Sequence, residues 1–257
     1  MYTSSQKIFL KISTKEWLSG SWNQSDRDTK SPHIRKMIHN FNEITRWVIY
    51  EVLEEQSTPK SRALVIRHFI SIADVVFLSP LFFILFYFLI FDFFFSFQRC
   101  RLEKNYNALQ GIVSGLQSAS VHRLQKSWNE VPKTNINIFR ELEALVSPES
   151  NFESLRCKLL DVNPPCVPWI GLYLRDLTFV EDGNPNLQKG TKLVNFEKFR
   201  KLSATVKYIQ VYQAQHYSFI EVPAIVAMFT NNKAFLSDEN EQFALSLKLE
   251  PKEPPPQ

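Results

Sequence analysis

Glycine is scarce in this chain, six residues of 257, and cysteine is scarcer at three, against fourteen prolines. So little glycine leaves no phosphate cradle, and neither GxxxxGK[ST] nor GxGxxG occurs. Cys100, Cys157 and Cys166 form no CxxC or metal spacing. An odd, scattered count fits reduced, mostly buried thiols in an intracellular protein. The histidines, His33, His39, His68, His122 and His216, make no HExxH, and there is no GxSxG. Covalent and metal-assisted catalysis therefore have no support, and no enzyme chemistry, cofactor or metal is expected. A net charge of +4 without a Lys/Arg cluster gives no ground for a nucleic-acid partner. What remains is a protein that acts by binding.

Phenylalanine is the one residue in excess. Ten of the 22 lie between Val75 and Gln98, and the other 233 residues share twelve. Val75 to Phe97 reads VVFLSPLFFILFYFLIFDFFFSF, with Asp92 as its one charge, and is long enough to cross a bilayer. Asp92 would cost about 2.5–3.5 kcal/mol at a helix centre, while each Phe, Leu or Ile returns roughly 0.3–0.6, so local hydropathy favours insertion.

The rest of the chain has helix periodicity and almost no strand signal. Ser13-Thr14-Lys15-Glu16 has capping-box spacing before a short helix with Trp17 and Leu18. Ile34, Met37, Ile38, Phe41, Ile44, Val48 and Val52 recur at three and four, which predicts a long amphipathic helix ending near Glu55. Further helices are expected over 62–74, 107–116, 121–128 and 136–145, and over 152–160 with Asn151 as N-cap. Pro164, Pro165 and Pro168 bracket a turn. A helix over 169–178, a Gly183-Asn184-Pro185 turn, a long helix over 195–212 and two short ones complete the pattern. The end, residues 250–257, is a polar, proline-rich tail. The expected fold class is all-α.

Three stretches together resemble the catalytic domain of Ras-family guanine-nucleotide exchange factors (RasGEFs), nearest the Son-of-sevenless and RasGRF-type branches. They are Phe41-Asn-Glu-Ile-Thr-Arg-Trp47; Asn105-Tyr-Asn-Ala-Leu109 with Ser114 to Leu124 and Trp128; and Asn163 to Pro185, followed by Leu193 to Lys198 and Arg200. The ending Ser246-Leu-Lys-Leu-Glu-Pro251 is also similar. The domain would span 8–249, with 75–98 an apolar insertion.

The resemblance implies an all-α domain with a protruding helical hairpin, here 169–212. It implies exchange on a Ras-family GTPase (Ras, Rap or Ral), whose switch I the hairpin opens. Thr178 would intrude on the GTPase's magnesium site. Asp182 would engage the P-loop hydroxyl that serves that metal, and Asn184, in the turn behind it, completes the catalytic set. Asn107 matches the pocket that grips switch II, His68 maps near the same pocket more loosely, and Trp169 and Leu174 are further GTPase-binding residues. Arg123 and Tyr106 are expected to hold the core. Relatives carry Glu at position 182 and Leu at 178, so both side chains are shorter here. The domain would work in the cytoplasm at the inner face of the membrane, reached through the GTPase. Two other readings stand beside exchange: an inactive GTPase-binding module, and a membrane-anchored factor held by 75–97.

On the family pattern, Ile72-Ala-Asp74 continues directly into Arg99-Cys100-Arg101, and the start also lacks the family's first catalytic helix and the preceding exchanger-motif domain. A single crossing by 75–97 would leave residues 1–74 and 99–257 on opposite sides of a bilayer, although both belong to one core. The segment opens on Val and closes Phe-Phe-Phe-Ser-Phe-Gln98, the letters of a T-rich intron read in frame. Transcripts lacking the codons for 75–98 are therefore expected, and a cDNA survey in which every transcript carries them overturns the retained-intron reading.

Overall fold

The three-and-four register of Ile34 to Val52 is realised as a long central helix, α4, Pro32–Glu54, in the computed structural model. The structure describes residues 2–18, 20, 22, 24–55, 57–74, 100, 101, 103–218 and 238–252. Among them the chain forms thirteen α-helices and no strand, which is the all-α class expected. Three helices precede α4: α1 (Tyr2–Phe9), α2 (Thr14–Leu18) and α3 (Arg27–Lys30). The capping box forms, with Ser13 Oγ accepting from Glu16 N at 3.4 Å. Glu16 also accepts from the backbone of His33 at 2.8 Å and Ile34 at 3.2 Å. One buried carboxylate thus satisfies the open N–H groups and positive dipole end of α4.

Helix α5 (Pro59–Ala73) begins at Thr58, whose side chain accepts from Ser61 N. Helix α6 (Tyr106–Leu116) packs tightly along α4. A Cβ at Gly115 would lie 2.7 Å from Val48 Cβ, so glycine is required for this approach. Thr45 Oγ1 donates to Gly111 O at 3.1 Å across the same seam. Ile44, Val48 and Val52 of α4 and Leu109, Ile112 and Val113 of α6 are at most 1% exposed. Each such side chain stabilises by about 1.5–3 kcal/mol.

The expected helix over 121–128 is two pieces, α7 (Ala119–His122) and α8 (Gln125–Asn129). At the break Val121 O accepts from both Leu124 N and Trp128 Nε1 at 3.1 Å, and Arg123 reaches to the C-terminal helix. Helix α9 spans Lys133–Leu145, and α10 starts at Glu153 and runs to Leu160. Asn151 is not its N-cap: Phe152 holds that place, and both have positive φ. Of the two short helices expected near the end, one is described as α13, Glu239–Leu249. The other lies outside the described residues, as do the last five residues of the tail.

A buried polar latch holds α13. Glu250 accepts from Ser127 Oγ at 2.7 Å, Ser127 N at 3.0 Å and Lys126 N at 2.9 Å, with Arg62 at 3.5 Å. Burial alone would raise its carboxyl, but those hydrogen bonds and Arg62 outweigh it and hold it below the usual range. Arg123 donates to Glu250 O at 2.7 Å, and Tyr106 is fully buried, so both hold the core as expected.

The apolar block 75–98 lies outside the described residues, but its flanks meet. Cys100 N donates to Ile72 O and Arg101 N to Ala73 O, both at 3.1 Å. Each pair is 28 positions apart, the four of an α-helical bond plus the 24 of residues 75–98. Arg101 Nε also meets the buried Asp74 carboxylate at 2.8 Å. Both flanks therefore belong to one core, and one bilayer crossing by 75–97 would sever these bonds. No helix among the described residues is long and apolar enough to cross a membrane. Joining Asp74 to Arg99 is expected to give a folded helical protein with a thermal midpoint at or above that of the full chain. An aggregated or unfolded product in circular dichroism would contradict the seam.

Candidate functional site

The PPCVP turn roots the site. Val167 N donates to Lys104 O at 3.0 Å, and Asn107 N to Val167 O at 3.3 Å, so the turn is tied to the start of α6. Trp169 then caps the first helix of a hairpin, α11 (Ile170–Gly183). Its ring packs edge-on against Phe152 at 5.0 Å and tilted over Phe41 at 6.3 Å. A Cβ on Gly171 would sit 2.5 Å from the Trp169 ring, so only glycine lets the indole fold back over the helix.

Helix α11 is longer than the periodicity predicted: it continues five residues beyond Thr178, to Gly183. The extension has a consequence for the site. Leu174, Thr178 and Asp182 stand four residues apart on one helix and therefore share one face. That face forms a wall of a groove of about 620 Å³, completed by Trp22, Ile38, Arg175, Phe179 and Gly183. Leu174 is buried, Thr178 half-buried and Asp182 exposed, so the row runs from apolar to acidic towards the tip. Asp182 has no hydrogen-bond or ion-pair partner among the described residues.

The opposite face is held. Asp176 takes a bidentate pair from Arg156 of α10 at 2.7 and 2.8 Å. Asn184 Nδ2 donates back to Val180 O at 2.9 Å and satisfies one of the last helical carbonyls. The second hairpin helix, α12 (Phe196–Gln213), is capped by Asn195, whose side chain accepts from Lys198 N. Its far end is anchored by Tyr212 Oη to Leu159 O at 2.9 Å, and by Gln213 Nε2 to Phe9 O and Ile12 O.

The groove thus brings together Leu174, Thr178 and Asp182, and it does not include His68, Asn107 or Trp169 among its lining. Asn107 is 0% exposed, with neither side-chain amide atom partnered among the described residues. A buried orphan amide costs about 1–3 kcal/mol. His68, half-buried on α5, lies 6.1 Å from the Phe69 ring. Trp22, Ile38 and Phe179 escaped sequence reasoning. Ile38 was visible as part of the α4 stripe, Trp22 is a lone indole in a polar stretch, and Phe179 is 80% exposed, which no periodicity announces. Among the described residues no His/Cys/Asp/Glu group could hold a metal.

An all-α domain with a helical hairpin beside such a groove is the class the fold defines, and comparison makes it specific. The RasGEF domain family model matches residues 1–200. Similar curated proteins include Ras guanine nucleotide exchange factor P of Dictyostelium discoideum, 36% identical over 96% of this chain and 14% of its own length. Ras-specific guanine nucleotide-releasing factors 1 and 2 of Rattus norvegicus are 31% and 32% identical over 96% of this chain. The chain covers 18% of each of those two rat proteins. The chain belongs to the RasGEF domain family.

Burial, followed by the charge of Arg67, lowers the imidazole pKa of His68. The folded state therefore favours the neutral ring, and stability is lost as pH falls below the unfolded value of about 6.5. In an NMR titration the His68 ring is expected to titrate below about 6.5, and a midpoint at or above that value refutes the assignment.

Proposed function

We propose that this chain promotes the release of guanine nucleotide from a Ras-family small GTPase, with the α11–α12 hairpin as the working element. The observation that carries the reading is the single row Leu174, Thr178 and Asp182 on the wall of the groove. In this reading the hairpin opens switch I, and Thr178 approaches the GTPase's magnesium. Asp182 meets the P-loop hydroxyl that otherwise serves that metal. A carboxylate there competes for the ligands of the cation and phosphates, so the nucleotide-free GTPase is the form bound best. Exchange is then catalysis by differential binding, without covalent chemistry.

The apolar part of the groove, Trp22 and Ile38 with Leu174, suits burial of aliphatic and aromatic groups from a switch region. Asn107 and His68 mark the second contact area, towards switch II, where Asn107 is fully buried and His68 half-buried, and Trp169 is a further contact to the GTPase. Asn184 shapes the turn behind Asp182. The domain acts at the cytoplasmic face of the membrane, reached through its GTPase.

The test is release of fluorescent GDP from purified Ras, Rap and Ral, using the chain with and without 75–98. Acceleration on one of the three is expected. Asp182→Asn is expected to lower it about 10- to 100-fold, the worth of one hydrogen bond to a charged group. Binding without acceleration by either form would leave an inactive GTPase-binding module. Carbonate-resistant association of the endogenous protein with membranes would favour the membrane-anchored reading.

A further inference from the structure

The hairpin tip carries two adjacent carboxylates, Glu181 and Asp182, and only Glu181 has a partner among the described residues. Lys198, 2% exposed, enters from the first turn of α12. Its ammonium donates to Glu181 Oε1 at 2.9 Å, Glu181 O at 3.2 Å and Asn186 Oδ1 at 2.6 Å. Three acceptors use all three donors of the group. The lysine is placed from behind as well. Asn195 Oδ1 accepts from Lys198 N at 3.3 Å, while Asn195 Nδ2 donates to Pro185 O at 3.0 Å. A lysine so deeply buried is tolerated because every donor is paired.

We infer that Lys198 is the positioning residue for Asp182, dividing the two neighbouring carboxylates between a structural and a working role; the inference rests on the exchange reading above. The ammonium satisfies a carbonyl at the C-terminal end of α11, where the helix dipole is negative. The last turn therefore stays helical as far as Gly183, and Asp182 keeps its place one turn beyond Thr178. The same ammonium binds the Glu181 carboxylate, so one carboxylate, not two, remains to compete for the partner's metal ligands. Without Lys198, the last turn loses its tie to α12, and Asp182 leaves the row it shares with Leu174 and Thr178.

Lys198→Met keeps the apolar stem and removes the charge. The Glu181 side chain is 41% exposed, so it returns to water and no buried charge is stranded. The variant is expected to fold with a similar thermal midpoint while amide hydrogen exchange quickens at 181–186. Its kcat for nucleotide release is expected to fall about tenfold or more, the usual penalty of a misplaced catalytic group, with the KM for GTPase within about twofold. In an Asp182→Asn background the same change is expected to add no further loss. Additive losses in the double variant would overturn the inference, because Lys198 would then act independently of Asp182. Unchanged amide exchange at 181–186 would overturn it whether or not the chain exchanges nucleotide. A wild-type chain that releases nothing from any GTPase sinks the exchange reading alone, and amide exchange then decides by itself whether Lys198 holds the tip.

Discussion

The close approach of α6 to α4 at Gly115 is the constraint on which the site depends. With a Cβ there only 2.7 Å from Val48, the two helices cannot slide without losing the seam. Fixing α6 fixes Asn105 and Asn107 at its start, and these hold Val167 of the proline turn. The turn in turn sets Trp169 and the first residue of α11. Fixing α4 places Ile38 on the opposite wall of the groove. One glycine contact therefore sets both sides of the groove.

The hairpin is stiff at its root and built differently at its tip. At the root, Arg156–Asp176, Tyr212–Leu159 and the Gln213 amide tie both helices to α10 and to the α1–α2 connection. At the tip, side-chain amides and one ammonium replace apolar packing, and Leu193, Val194 and Phe196 stand exposed. On the proposed exchange reading this arrangement suits a lever, because a soft root would spend binding energy on bending the hairpin.

The all-α class and the α4 stripe were legible because amphipathic periodicity is a local property that the core then uses. Arg123 and Tyr106 were legible through resemblance, and both hold the core. The groove was only half legible. Leu174, Thr178 and Asp182 lie on one helix, so spacing linked them once the true end of α11 was known. The predicted end at residue 178 hid that row, because the tie that extends the helix, from Lys198 to Glu181, crosses 17 residues of sequence. Trp22 and Ile38 reach the groove through tertiary packing alone. The break between α7 and α8 sits where Arg123 reaches Ser246, 123 residues away, a contact that no local pattern encodes.

The seam at Ile72–Cys100 carries a consequence for the chain as material. Its two ends stand one helical hydrogen bond apart, so anything threaded between them closes a loop on a fixed base. Closing 24 residues costs only about 3 kcal/mol of chain entropy, and doubling that length adds roughly 0.6. The C-terminal end of α5 is thus a natural port, able to carry foreign sequence of almost any length at little cost in chain entropy.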